Sequence, residues 1–125
     1  TVATDHCPFQ SYEKDWGKDD FTKIPNGCPG VENLYPYMLD AANSGKITFE
    51  RAVELCSTNV AKIFGCDNKG SISVGKDADI VIYDKDKDFT ISVDNMHSDL
   101  DHTIWEGKQL HGLSNPYLPS WKCCI

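Results

Sequence analysis

Apolar residues recur every three to four positions between residues 32 and 64, a spacing typical of helices with one buried face. Pro36 lies in the first turn of the first helix, Ser44-Gly45 ends that helix, and Thr48 is a suitable N-cap for the second. We expect the apolar stripes to form core and no cofactor site. The predicted helices run from residue 32 or 33 to 43, from 49 to 56, and from 57 or 58 to 64.

The apolar period changes to alternation from Lys69-Gly70 onward. The continuous β-rich run at residues 80–83 is typical of a strand that is buried on both faces. Residues 84–88 are charged and predict a turn, while residues 113–125 show no period. The predicted strands are 72–74, 80–83 and 89–93, with a further hairpin of 103–105 and 109–110 around a turn at 106–108.

The first nine residues predict a strand that leads into a loop. Val2 and Thr4 favour an extended backbone, and Pro8 ends regular structure. Asp5 would then stand where a buried strand opens, which is where catalytic groups gather in α/β barrels. An aspartate that caps a turn is the alternative, and these residues by themselves favour it.

Residues 10–28 have neither a helical nor a strand period and predict a long loop, a feature that is often functional. Within it, Pro25-Asn26-Gly27 is a turn signal, because Asn and Gly tolerate positive φ. Such a turn can present bare backbone N–H and C=O groups to a ligand. A plain connector is the other interpretation, and the spacing alone favours it.

Length and charge exclude several classes of protein. The chain has 125 residues and a net charge of −7, whereas a whole (β/α)8 barrel takes about 250 residues. Because the chain begins without Met inside an apparent strand, we expect a fragment. The acidic balance argues against nucleic acid, no apolar run could span a bilayer, and no secretory signal is visible.

The remaining chemistry-bearing residues predict no complete site. Six cysteines without a Cys-x-x-Cys pair indicate free thiols in a reducing cytoplasm. Asp5 and His6 together are too few ligands to close a metal site. The other histidines, His97, His102 and His111, are predicted to lie on the surface. Asp77 and Asp79 are predicted to cap turns. The remaining group, Asp94, Asp99 and Asp101, is predicted to form a solvated acidic face.

Four ordered segments carry a resemblance to a known family. They are residues 4–9 (TDHCPF), 20–27 (DFTKIPNG), 57–65 (STNVAKIFG) and 69–82 (KGSISVGKDADIVI). Together they closely resemble the dihydropyrimidinase/hydantoinase branch of the amidohydrolase superfamily, over residues 1 to about 112. The second segment favours that branch over allantoinases and dihydroorotases, whereas many amidohydrolases share the Gly-x-Asp-Ala-Asp element.

The resemblance implies an α/β fold. The chain would be the C-terminal fragment of a metal-dependent TIM barrel, the last strand plus helices, followed by part of a small β-sandwich. Residues 1–68 would end the barrel, residues 69–112 would belong to the sandwich, and residues 113–125 would form an irregular tail. A cytoplasmic, homo-oligomeric enzyme, a tetramer in the full-length family, is implied.

The resemblance also implies roles for two residues. Asp5 matches the aspartate that ligates one zinc of a two-metal site and moves a proton, and Asn26 matches the turn whose backbone contacts the ring imide of the substrate. The reaction implied is hydrolytic opening of hydantoins or dihydropyrimidines to N-carbamoyl amino acids, as in pyrimidine catabolism.

Departures from the family pattern leave alternatives open. The His-x-His pair, the carboxylated lysine and two further histidines of the family are absent, so this chain alone should neither hold two metals nor turn over substrate. Non-catalytic relatives that act as scaffold or interaction proteins typically lose the carboxylate and the Pro-Asn-Gly turn, and this chain keeps both. A dihydroorotase- or allantoinase-type enzyme is the remaining alternative.

Overall fold

The computed structural model of the chain describes residues 1–114. Helices occupy the first half and a two-stranded antiparallel sheet the second half. Within residues 1–114, none of the helices has the length and apolar character that crossing a bilayer requires. The elements are α1 Ser11–Lys14, α2 Val31–Asn43, α3 Phe49–Val53, α4 Asn59–Ile63, β1 Tyr83–Thr90 and β2 Gln109–Ser114, with short 3₁₀ turns at Asp15–Gly17, Phe21–Lys23 and Val93–Asn95.

The longest element, α2, confirms the first predicted helix. Leu39 and Ala42 are buried on its inner face, and the helix ends at the left-handed Gly45, whose φ is +75°. Pro36 lies in the second turn instead of the first, because the helix already begins at Val31. Because proline has no N–H, the carbonyl of Glu32, four residues earlier, receives no helical hydrogen bond from position 36.

The second and third predicted helices run together instead of being separated by a cap. Thr48 Oγ1 accepts from the Arg51 N–H at 3.1 Å, so the predicted N-cap of α3 is confirmed. A wide π turn at Glu54–Thr58 then joins α3 to α4. Thr58 does not cap α4; its hydroxyl donates to the Gly70 carbonyl at 2.8 Å.

The sheet pairs Phe89 with Leu110 and Thr90 with Gln109. This register places Leu110 in the core with Ile91, and both side chains are completely buried. β2 packs on α2, where the partly buried His111 N–H donates to the Asp40 carboxylate at 2.8 Å. The core thus lies between the inner face of α2 and the end of the sheet.

Several predicted strands are absent from residues 1–114. Residues 72–74 and 80–82 are in no strand, and the predicted charged turn at 84–88 is part of β1. Residues 109–110 pair with 89–90 instead of 103–105, which form a turn. The reason is that a strand needs a neighbour to satisfy its ladder, and the apolar side chains of 72–82 have none here.

The N-terminal predictions also need correction. Residues 1–5 form no strand, because their segment has a single parallel bridge, between His6 and Cys28. The stretch after Phe9 contains α1 and two 3₁₀ turns where no regular structure was expected. In the tail, Leu113 and Ser114 continue β2, and residues 115–125 lie outside the described part of the chain.

Candidate functional site

Asp5 projects from an exposed, unpaired segment in place of the predicted strand mouth. Its φ of +48° makes it the one non-glycine residue among residues 1–114 with a left-handed backbone, a conformation that Asp tolerates better than most side chains. Within the same range, its carboxylate makes neither a hydrogen bond nor an ion pair. The Asp5 carboxylate is therefore available to a ligand.

His6 holds the start of α2 and does not join Asp5 in a site. Its Nδ1 accepts from the backbone N–H groups of Gly30, at 3.0 Å, and Val31, at 3.3 Å. These amides open α2 and have no partner within the helix. Because Nδ1 acts as an acceptor, the ring proton of this tautomer is on Nε2.

The segment that carries Asp5 lies directly against the Pro25-Asn26-Gly27 turn. The Cys7 N–H donates to the Cys28 carbonyl at 3.2 Å, next to the His6–Cys28 bridge. A Cβ at position 27 would lie 2.4 Å from the Cys7 Cβ, and the Gly27 φ of +105° favours glycine as well. The structure thus brings the two sequence-predicted site residues, Asp5 and Asn26, onto adjacent segments.

The turn is held by a lysine on α1. The Lys14 ammonium donates to the carbonyl oxygens of Pro25, at 2.5 Å, and Gly27, at 2.7 Å. It also lies 4.9 Å from the centroid of the Phe9 ring, in cation–π range. Among residues 1–114, the backbone N–H and C=O of Asn26 have no hydrogen-bond partner, and the residue is exposed.

The short helix α1 is fixed by a residue from the end of the described chain. The Ser11 N–H donates to the Asp101 carboxylate at 2.9 Å across 90 positions of sequence, and the Ser11 hydroxyl donates to the other carboxylate oxygen. Gln10 adds two bonds to the backbone of the same segment, at Asp99 and Asp101. The Ser11 hydroxyl, with His102 beside it, lowers the pKa of Asp101 to about 2.

The other candidate residues stay apart. Among residues 1–114 there is no group of three or more side chains that could hold a metal ion. The predicted surface histidines each contact a carboxylate: His97 with Glu32, His102 with Asp101, and His111 with Asp88. Within the same range the cysteines are free thiols, namely Cys7, Cys28, Cys56 and Cys66.

One aspartate prediction is wrong. Asp77 and Asp79 do not cap turns; both carboxylates bind the Lys69 ammonium, Asp77 at 2.9 Å. Asp94, Asp99 and Asp101 are all exposed, as predicted for a solvated face, and Asp101 in addition caps α1. Lys14 was not predicted as a site residue. The signal that could have found it is its place in the stretch of basic and aromatic residues between the motifs at residues 4–9 and 20–27.

A model of the amidohydrolase family matches residues 38–111. The chain is 49% identical over 114 residues to dihydropyrimidinase 2 of Caenorhabditis elegans, covering 90% of this chain and 22% of that protein. It is 40% identical over 128 residues to a D-hydantoinase of Rhizobium radiobacter, covering 100% of this chain and 28% of that protein. It superposes on a solved D-hydantoinase structure with a TM-score of 0.88 at 40% identity, over 92% of this chain and 26% of the other.

The chain therefore spans about a quarter of the length of the relatives that it matches. Over that part, the superposition shows a fold shared with D-hydantoinase, so the family resemblance read from the sequence motifs is confirmed. Because the family model covers more than half of the chain, and the relatives match it at 40–49% identity, the chain belongs to the amidohydrolase family.

Proposed function

We propose that this chain is the C-terminal part of a metal-dependent cyclic amidase that opens hydantoins or dihydropyrimidines to N-carbamoyl amino acids. One observation carries the proposal. The Asp5 carboxylate and the Asn26 backbone are exposed on segments joined by the Cys7–Cys28 hydrogen bond, and each is without a partner among residues 1–114. The similarity to a dihydropyrimidinase and to D-hydantoinases supports this choice of chemistry.

The residues present fit a metal site to which this chain gives one ligand. A carboxylate oxygen is a suitable zinc ligand, and Asp5 is exposed and without a competing partner among residues 1–114. The other family ligands, the His-x-His pair, the carboxylated lysine and two histidines, are absent from this sequence. A bound pair of zinc ions supplies hydroxide near neutral pH.

The chain's own residues then have two tasks. Asp5 accepts the proton of the attacking water and returns it to the departing amide nitrogen, which is general base and then general acid catalysis. Asn26 orients the ring, because its N–H can donate to an imide carbonyl and its C=O can accept from an imide N–H. A fixed donor–acceptor pair of this kind selects a cyclic imide edge.

The same proposal assigns the parts of the chain. Residues 1–68 would complete the barrel and residues 69–112 would belong to the β-sandwich of a full-length enzyme, which would be a cytoplasmic homotetramer. Since the other ligands are absent, the 125-residue chain by itself would bind no stoichiometric zinc and open no ring.

The test is an Asp5→Asn variant of the full-length enzyme that contains this segment. Loss of the proton carrier and metal ligand should lower turnover of hydantoin or dihydrouracil about 10²–10⁴-fold, measured by the appearance of the N-carbamoyl product. Asp19→Asn is the matched control, because Asp19 is also exposed and makes no hydrogen bond or ion pair among residues 1–114. Zinc content should be measured in both variants by elemental analysis.

Undiminished turnover in Asp5→Asn would remove Asp5 from the mechanism. An unmodified full-length protein that binds zinc but opens no cyclic amide would favour the non-catalytic scaffold alternative. A preference for dihydroorotate or allantoin over both substrates would point to the remaining alternative.

A further inference from the structure

Lys14 occupies two of the three carbonyl oxygens in the Pro25-Asn26-Gly27 turn. Its ammonium lies 2.5 Å from the Pro25 oxygen and 2.7 Å from the Gly27 oxygen. The Asn26 carbonyl between them has no partner among residues 1–114. A flexible exposed turn would otherwise sample many conformations, and a charged donor that bridges two of its carbonyls restricts it to one.

The contact with Pro25 also acts on the Asn26 N–H. The Pro25 carbonyl and the Asn26 N–H belong to the same peptide unit, so a cation on the oxygen polarises the N–H at the other end. An N–H polarised in this way is a stronger donor. The Asn26 N–H is unpaired among residues 1–114, so this gain is available to a bound ring.

The lysine itself is held in place from two directions. Its stem leaves the last residue of α1, which Asp101 fixes through Ser11, and its ammonium lies 4.9 Å from the centroid of the Phe9 ring. Phe9 follows the segment of Asp5, so the Lys14 side chain contacts both the Pro25-Asn26-Gly27 turn and the residue that continues the Asp5 segment. Lys14 is therefore placed to set the turn relative to Asp5.

We infer that Lys14 is a positioning residue for substrate: it holds the Pro25-Asn26-Gly27 turn so that the Asn26 backbone presents one donor and one acceptor to the imide edge of a cyclic amide. This inference rests on the proposed function. It assigns the lysine to ring binding and orientation, not to proton transfer.

The test compares Lys14→Met with Lys18→Met in the full-length enzyme. Methionine keeps an apolar stem but removes the ammonium, so KM for hydantoin and dihydrouracil should rise about tenfold while kcat falls less and zinc content is unchanged. Lys18 is the matched control, because it is 70% exposed and pairs only with Asp15 among residues 1–114. Its KM should remain that of the unmodified enzyme.

A second variant and a second measurement keep the test independent of folding and of activity. Lys14→Gln retains a neutral donor, and its KM should lie between those of Lys14→Met and the unmodified enzyme. In crystal structures without substrate, the Pro25-Asn26-Gly27 turn should be displaced or have raised displacement parameters in Lys14→Met and be unchanged in Lys18→Met, because only the first variant removes the donor that bridges its carbonyls.

The outcomes separate the inference from the proposed function. An unmodified enzyme that opens neither ring would overturn the proposed function and this inference with it. An active enzyme in which both Lys14 variants have the KM and the turn conformation of Lys18→Met would overturn the inference alone. A fall in kcat with KM unchanged would also overturn it, because the lysine would then act on the chemical step.

Discussion

Residues 4–31 and residues 69–82 both contain family motifs. They differ in how many of their polar and apolar groups find a partner within residues 1–114. In the first region the backbone is tied by hydrogen bonds whose two partners both lie inside the region, such as Cys7 to Cys28, His6 to Gly30 and the Lys14 bridge. In the second region, residues 69–82, apolar side chains whose pattern predicts strands are exposed to solvent. Ile72 is 85% exposed, and Ile80, Val81 and Ile82 are between 46% and 56% exposed.

The difference shows which parts of the molecule must be present for each region to adopt its structure. Turns and helix ends are closed by donors and acceptors that are present on nearby segments of this chain. Strands require a neighbouring strand and a covered face, and residues 1–114 supply neither to residues 72–82. The first region can therefore be built from this chain, whereas the second depends on surface that residues 1–114 do not provide.

The largest effect on the free energy of unfolding should come from truncating Ile91, with Ile72 as the matched control. Ile91→Ala should lower the free energy of unfolding by about 2–5 kcal/mol, because Ile91 is fully buried and its truncation leaves a cavity. Ile72→Ala should change it by less than about 0.5 kcal/mol in the same 125-residue chain. Urea denaturation measures both. A cost above about 1 kcal/mol for Ile72→Ala would mean that this region is covered after all.

A smaller effect should come from the start of α2. His6→Ala removes the acceptor for the Gly30 and Val31 amides and should cost about 1 kcal/mol of unfolding free energy. His6→Asn, whose side-chain oxygen can replace Nδ1, should recover most of the loss. His111→Ala is the control, because its ring is 62% exposed in the pair with Asp88. Equal losses for His6→Ala and His6→Asn would contradict the capping role.

The smallest effect should appear at acid pH. Asp101 has a folded-state pKa of about 2, below its ordinary 3.8, so the stability it contributes is present above about pH 4 and is lost as pH falls towards 2. Over that window, the protection factor of the Ser11 amide, its exchange relative to the intrinsic rate at the same pH, should fall in the unmodified chain. In Asp101→Ala, which removes the acceptor, the protection factor should be low throughout. Asp99→Ala should behave like the unmodified chain, because Asp99 accepts from Gln10 through its backbone carbonyl.

Local signals in the sequence were enough to predict α2 and the start of α3. The end of α2 at Ser44-Gly45 and the Thr48 cap each depend on a few adjacent residues, and both are confirmed. The strands could not be predicted in the same way. The charged run at 84–88 reads as a turn, but pairing across β2 extends it as β1, and this pairing is a property of two distant segments.

The candidate site was predictable only in part for the same reason. Asp5 and Asn26 stand in motifs that resemble those of the family, and this resemblance alone made them candidates. Lys14 and Asp101 act through contacts whose sequence separation is 11 and 90 positions, and no local period marks them. His6 was noticed but assigned to no contact, since its partners lie 24 and 25 positions away.

The cap that Asp101 places on α1 has a consequence for exchanging segments between related enzymes. A crossover anywhere between residues 12 and 100 would join a Ser11 from one parent to an Asp101 from another. Hybrids that inherit both positions from one parent should keep the lysine-bearing helix in place, whereas mixed hybrids should lose this cap wherever the second parent has no carboxylate at position 101. Ser11 and Asp101 should therefore be transferred together when segments are exchanged.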